Sequence, residues 1–104
     1  MARKHEEGPA SDPELLILSS LAGGPKHGYG MMLDIQTFAG IELGPGTLYG
    51  AITRLVDHGW IEPQQEQGRQ RPYKITGLGL QHLRTQLEGM RQLAKVGLGR
   101  LRTV

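Results

Sequence analysis

Residues 44–59 read GPGTLYGAITRLVDHG, and the other segments of the chain take their meaning from this one. Proline lacks the amide that would stand unpaired in a first helical turn, so Pro45 marks a helix start and Gly59 a stop, about four turns later. Leu48, Ile52, Leu55 and Val56 recur at helical spacing on one side with Ala51 at its edge. Gly46, Tyr49, Gly50, Thr53 and Asp57 fall on the other. One face is made to pack; the opposite one is small and polar. Gly46 and Gly50 raise no side chain above it, and Thr47, Tyr49 and Arg54 supply donors around it. A helix entering a DNA major groove needs this relief. An ordinary amphipathic helix with incidental glycines accounts for the segment equally well.

Upstream, Ser11-Asp12-Pro13-Glu14 combines a capping side chain, a proline at the first helical position and an acid at the positive end of the helix dipole. A helix from Pro13 to Ala22 follows, ended by Gly23-Gly24-Pro25. Leu15, Leu16, Ile17, Leu18 and Leu21 surround most of its circumference, which predicts cover on two sides, by its own domain and by a second copy. Lys26-His27-Gly28-Tyr29-Gly30 opens a second helix with Met32, Ile35 and Phe38 as its stripe, ending at Gly40; Met fills core gaps and His27 serves as a cap. Ile41-Glu42-Leu43 alternates as a very short strand would. Residues 1–10 are charged and small and are expected to be a disordered lead, in which Glu6 and Glu7 offset Arg3 and Lys4.

Downstream, Trp60 to Glu66 reads as a strand that Pro63 confines to a sheet edge. Gln67-Gly68-Arg69-Gln70 turns, and Arg71 to Thr76 returns as its partner. The hairpin is marginal unless Trp60 or Ile61, Tyr73 and Ile75 pack on the helices. Arg69 and Arg71 sit at its tip with Lys74 nearby, which suits phosphate, although exposed arginines on polar turns are common. From Leu78 onward, with Thr76 as cap, Leu80, Leu83, Leu87, Met90 and Ala94 keep a coiled-coil rhythm that Leu98 and Leu101 continue. Such a helix is predicted to need a partner, most simply a second copy, or else to fold back over its own domain.

The 104 residues make one domain with a net charge of +2. The charge is uneven: Arg84, Arg91, Lys95, Arg100 and Arg102 face a single acid, Glu88, beyond residue 83. No cysteine is present, which removes disulfides, thiolate catalysis and Cys-ligated metals. The start carries no apolar leader and no run approaches a membrane span, so a cytoplasmic protein is expected. His5, His27, His58 and His82 are scattered, and Gly44-Pro45-Gly46 lacks the rest of a phosphate-binding P-loop. Neither an enzyme nor a cofactor is implied.

Three helices followed by a basic hairpin make the winged helix-turn-helix arrangement: mainly α with a small β-hairpin, plus a C-terminal dimerisation helix. The domain is expected over 11–77 and the dimerisation helix over 78–104. The chain also resembles the PadR-like bacterial transcriptional regulators across Leu15 to Leu87. The likeness is carried by His27-Gly28-Tyr29, Pro45-Gly46-Thr47-Leu48-Tyr49, Arg54-Leu55, Gly59-Trp60-Ile61 and Arg71-Pro72-Tyr73-Lys74-Ile75-Thr76 with Gly79. It implies a homodimer on double-stranded DNA, reading helices in adjacent major grooves of a pseudo-palindromic operator, wings on the backbone, and repression relieved by a small molecule. The single C-terminal helix looks like the small subfamily, while Gly50 departs from the bulkier residue of many relatives.

The DNA-contacting set expected is Gly46, Thr47, Tyr49, Gly50, Thr53 and Arg54 on the helix, Arg69, Arg71 and Lys74 on the wing, and Lys26 ahead of the second helix. The dimer set is Leu15 and Leu18 with Leu80, Leu83, Leu87, Met90, Ala94, Leu98 and Leu101. Related small members bind flat aromatic drugs between aromatic side chains, but residues 78–104 contain no Trp, Tyr or Phe. An aliphatic pocket lined by Met90 and leucines, or no effector, is what this chain allows. A winged-helix module that binds protein and not DNA is the alternative reading, since fold does not settle function.

Overall fold

Asp12 opens the first helix, α1 (Pro13–Ala22), its carboxylate accepting the Glu14 amide at 2.9 Å. The computed structural model describes residues 11–104, so the expectations placed on residues 1–10 lie outside them. After α1 come a two-residue strand β1 (Lys26–His27), α2 (Gly28–Ala39), α3 (Pro45–Asp57), β2 (Ile61–Pro63), β3 (Pro72–Ile75) and α4 (Gly77–Leu101). His27 caps α2 through Nδ1, which accepts the Gly30 amide at 3.3 Å. Gly40 ends that helix in the left-handed region at φ 69°, where a side chain would be strained.

α1 is the centre of the molecule. It packs against α2, α3, α4 and β3 of its own chain, and Leu16, Ile17, Leu18 and Leu21 are all buried there. The all-round apolar character of this helix therefore needs no second copy, contrary to the expectation from sequence. Leu18 is 0% exposed inside its own subunit and is withdrawn from the dimer set; Leu15 is only partly buried at the margin. The one buried polar side chain among the described residues, Ser20, donates its hydroxyl to Asp34 at 2.7 Å.

The sheet has the order β1-β3-β2, with antiparallel pairs throughout. Lys26 stands opposite Tyr73 and His27 opposite Pro72, so the third strand lies before α2. The expected strand at Ile41-Glu42-Leu43 is absent: that segment is a loop whose Ile41 and Leu43 are buried as anchors, while β1 takes the ladder beside β3. β2 is an edge strand, as its proline requires, and it is shorter than expected because Pro72, opposite Gln64, has no amide to return to the Gln64 carbonyl. Past it Gln64 donates its amide to the Pro72 carbonyl at 2.8 Å, and near the tip Gln67 and Gln70 exchange backbone hydrogen bonds of 2.7 and 3.1 Å. The inner face uses Ile61 and Ile75, paired in register and both buried.

Trp60 is turned aside and lies between two imidazoles, stacked on His58 with ring centroids 4.3 Å apart and on His82 at 3.7 Å. Its carbonyl accepts the Thr76 amide at 3.0 Å and lies directly over Gly79, where a β-carbon would collide with it. Thr76 caps α4, accepting the Gly79 amide at 3.0 Å. That helix is 25 residues long, about 37 Å at the usual rise. Leu83 is only 5% exposed and belongs to the core of its own subunit, so it too leaves the proposed seam. Beyond it the helix extends past the domain with Leu87, Leu93, Leu98 and Leu101 exposed. No helix among the described residues is long and apolar enough to cross a membrane.

Candidate nucleic-acid interface

Leu48, Ala51, Ile52 and Leu55 bury one face of α3 in the core, which turns Gly46, Gly50, Thr53 and Asp57 outward as a ridge. Nothing among the described residues requires the two glycines of this ridge to be glycine. A β-carbon at Gly46 would meet no atom within 4 Å, and one at Gly50 would meet only the Arg54 Nη1, at an ordinary 3.7 Å. Neither has a positive φ. A mid-helix glycine costs about 1 kcal/mol relative to alanine, so Gly50 is retained at a loss to the fold. Thr53 turns its hydroxyl back to the Tyr49 carbonyl at 3.0 Å, leaving the ridge low.

The two flanks of α3 differ. On the α1 side lie Thr47, exposed, and Arg54, whose Nε donates to Glu14 Oε2 at 2.6 Å. That ion pair ties α3 to the first turn of α1, a task sequence alone did not reveal for Arg54. On the wing side Tyr49 is 49% exposed, yet its hydroxyl rests on Gly28, so closely that a β-carbon there would overlap it. Tyr49 thus leans toward the start of α2 and away from the ridge.

The wing supplies cations in different states. Arg71 is braced, with Nη1 donating to the Gln64 carbonyl at 2.9 Å and Nη2 3.3 Å from a Glu66 carboxylate oxygen. Arg69, at the tip, is exposed and forms no ion pair among the described residues. Lys74 is exposed on β3 opposite Glu62. Lys26 is engaged within its own chain: its ammonium donates to the Ser20 carbonyl at 2.6 Å and the Gly24 carbonyl at 3.3 Å, and stands 3.9 Å from Asp34. It holds the carbonyl end of α1, a structural task that the expectation of a DNA contact did not include.

Between wing and helices runs an open cleft of about 370 Å³ lined by His27, Gly28, Tyr29, Tyr49, Arg69, Gln70, Arg71 and Tyr73. Tyr29 and Tyr73 were not singled out as site residues from sequence. Their only signal was membership of the HGY and RPYKIT segments, which does not reveal that β1 pairing brings the two together.

A protein-family model for the PadR-like transcriptional regulators matches residues 17–85, from the middle of α1 through the wing into α4. The chain belongs to that family. Over 84 residues this PadR-like chain is 40% identical to an uncharacterized 37.1 kDa protein in transposon TN4556 of Streptomyces fradiae, a match covering 81% of this chain and 24% of that protein. It thus spans about a quarter of the length of that curated relative. Among solved structures, a transcriptional regulator from Clostridium thermocellum superposes with a TM-score of 0.73 at 29% identity, over 81% of this chain and 84% of that one. A PadR family transcription regulator from Clostridium difficile gives 0.77 at 22% identity, over 86% and 97% of the two chains. A winged-helix DNA-binding protein from STIV gives 0.70 at 18% identity, over 76% and 87%. These last two identities speak to the fold alone, which is the winged helix expected from the element order. PadR-like proteins are transcriptional regulators and not enzymes.

Proposed function

We propose that this PadR-like chain acts in the cytoplasm as a homodimeric, sequence-specific repressor on a pseudo-palindromic operator. The observation that carries the reading is the bare ridge of α3, whose glycines the chain's own packing does not ask for. A surface kept low at a cost to the fold is suited to a partner whose walls come close, as a major groove does. Gly46, Thr47, Gly50 and Thr53 form the reading surface. Arg69, Arg71 and Lys74 meet the backbone from the wing.

Self-association rests on α4, where Leu80, Leu87, Met90, Ala94, Leu98 and Leu101 form one stripe along a helix that its own domain covers only at the start. Leu15 lies at the edge of the same domain. A two-fold pair would present the reading helices about 34 Å apart, one turn of duplex. Any effector seated between the α4 helices meets Met90 and leucines, an aliphatic lining.

Selection of bound duplexes from a random pool at moderate salt tests the reading. A palindromic winner is expected, with log affinity falling against log salt at a slope near −0.9 per phosphate contacted. Failure to retain any duplex leaves the protein-binding module as the better account.

A further inference from the structure

We propose that the cleft between the wing and the start of α2 seats one phosphodiester of the duplex backbone, and that Tyr49 belongs to this seat and not to the base-reading surface. The inference rests on the DNA-binding reading above and assigns residues that it leaves without a task.

The lining has the chemistry of an anion site. Arg69 and Arg71 bring guanidinium groups, Tyr29, Tyr49 and Tyr73 bring phenols, and among the described residues no carboxylate lines the cleft. Arg71 is held in place by Gln64 and Glu66, which spends part of its charge on position. Arg69 has no ion pair among the described residues and supplies the net positive charge. Guanidinium groups and hydroxyls make charge-assisted hydrogen bonds to phosphate oxygens, roughly twice as strong as neutral ones.

The place of Tyr49 follows from Gly28. The phenol oxygen lies against that glycine, so the ring is committed to the wall of the cleft, on the flank of α3 that faces the wing. The ridge of Gly46, Gly50 and Thr53 lies to one side of it. Tyr29, 60% exposed at the start of α2, lines the same cleft. A backbone strand lying between wing and reading helix passes over this opening. Tyr49 contacts then fix register without reading sequence.

The test uses the full chain and the duplex recovered by selection, with single linkages replaced by methylphosphonate so that charge is lost while the bases stay. Wild-type protein is expected to show one linkage per half-site whose replacement weakens binding about tenfold. Tyr49→Phe, Tyr29→Phe and Arg69→Ala should each weaken operator and unrelated duplex by the same factor, leaving their ratio unchanged, and should lose the penalty at that one linkage. Thermal melting confirms that the variants fold.

A changed ratio between the operator and its single-base variants on Tyr49→Phe overturns the assignment by making Tyr49 a base reader. So does a methylphosphonate penalty that all three variants retain. Wild-type protein that binds duplex with steep salt dependence while the three variants match it rejects the seat alone. Wild-type protein that retains no duplex rejects the DNA-binding reading itself.

Discussion

Replacing Gly50 by alanine should push stability and DNA affinity in opposite directions. The backbone at Gly50 is helical and lacks a positive φ, and the added β-carbon meets only the Arg54 Nη1 at 3.7 Å. No steric penalty offsets the gain in helix propensity, about 0.8–1 kcal/mol for glycine to alanine in a helix interior. For a domain of this size that gain corresponds to a rise of roughly 4–8 °C in Tm. The same methyl stands on the ridge proposed to lie in the groove. Overfilling a close-packed contact costs about 1–3 kcal/mol, which weakens affinity for the selected operator by roughly five- to 150-fold. Circular dichroism melts at one fixed protein concentration read the first effect, since self-association makes Tm depend on concentration. Anisotropy titration of labelled duplex reads the second. A lowered Tm would refute the claim that the fold has no use for a glycine here. A raised Tm with unchanged affinity would remove the ridge from the DNA.

Four other substitutions separate roles that lie close together in the chain. Gly79→Ala drives a β-carbon into the Trp60 carbonyl, a backbone group that cannot swing away, and should cost about 1–3 kcal/mol; a lowered urea midpoint, followed through emission of the sole tryptophan, checks it. Leu87→Glu, at a position 43% exposed, should leave the domain folded and reduce the mass seen by light scattering, and an unchanged mass counts against the α4 seam. Leu83→Glu should instead unfold the domain, by about 3 kcal/mol or more, because it places a carboxylate in the core of its own subunit. Lys26→Met should lose roughly 1–2 kcal/mol through the Ser20 and Gly24 carbonyls while leaving the salt slope of DNA binding as it was; a shallower slope would return Lys26 to the interface.

Much of the architecture was legible before any coordinate. The bounds of α1, the capping of α2 by His27, the start of α3 at Pro45 and the cap of α4 at Thr76 all come from interactions within four residues along the chain. The order of three helices, a hairpin and a long helix follows from them, and so does the low ridge on α3. Local chemistry of this kind is written where it acts.

The tertiary structure decided what each exposed or apolar side chain is spent on. β1 is two residues long and exists only because β3 offers it a ladder, so no period marks it in the sequence. Leu15 and Leu18 look alike on a helical wheel, but four packed neighbours of α1 bury one wholly and leave the other at the margin. Arg54 and Glu14 are paired across 40 residues, Lys26 turns inward to the end of α1, and the Tyr49 hydroxyl settles on Gly28. In each case the partner is brought near by packing of the whole domain, and a charge or a phenol carries no sign of which neighbour the fold will give it.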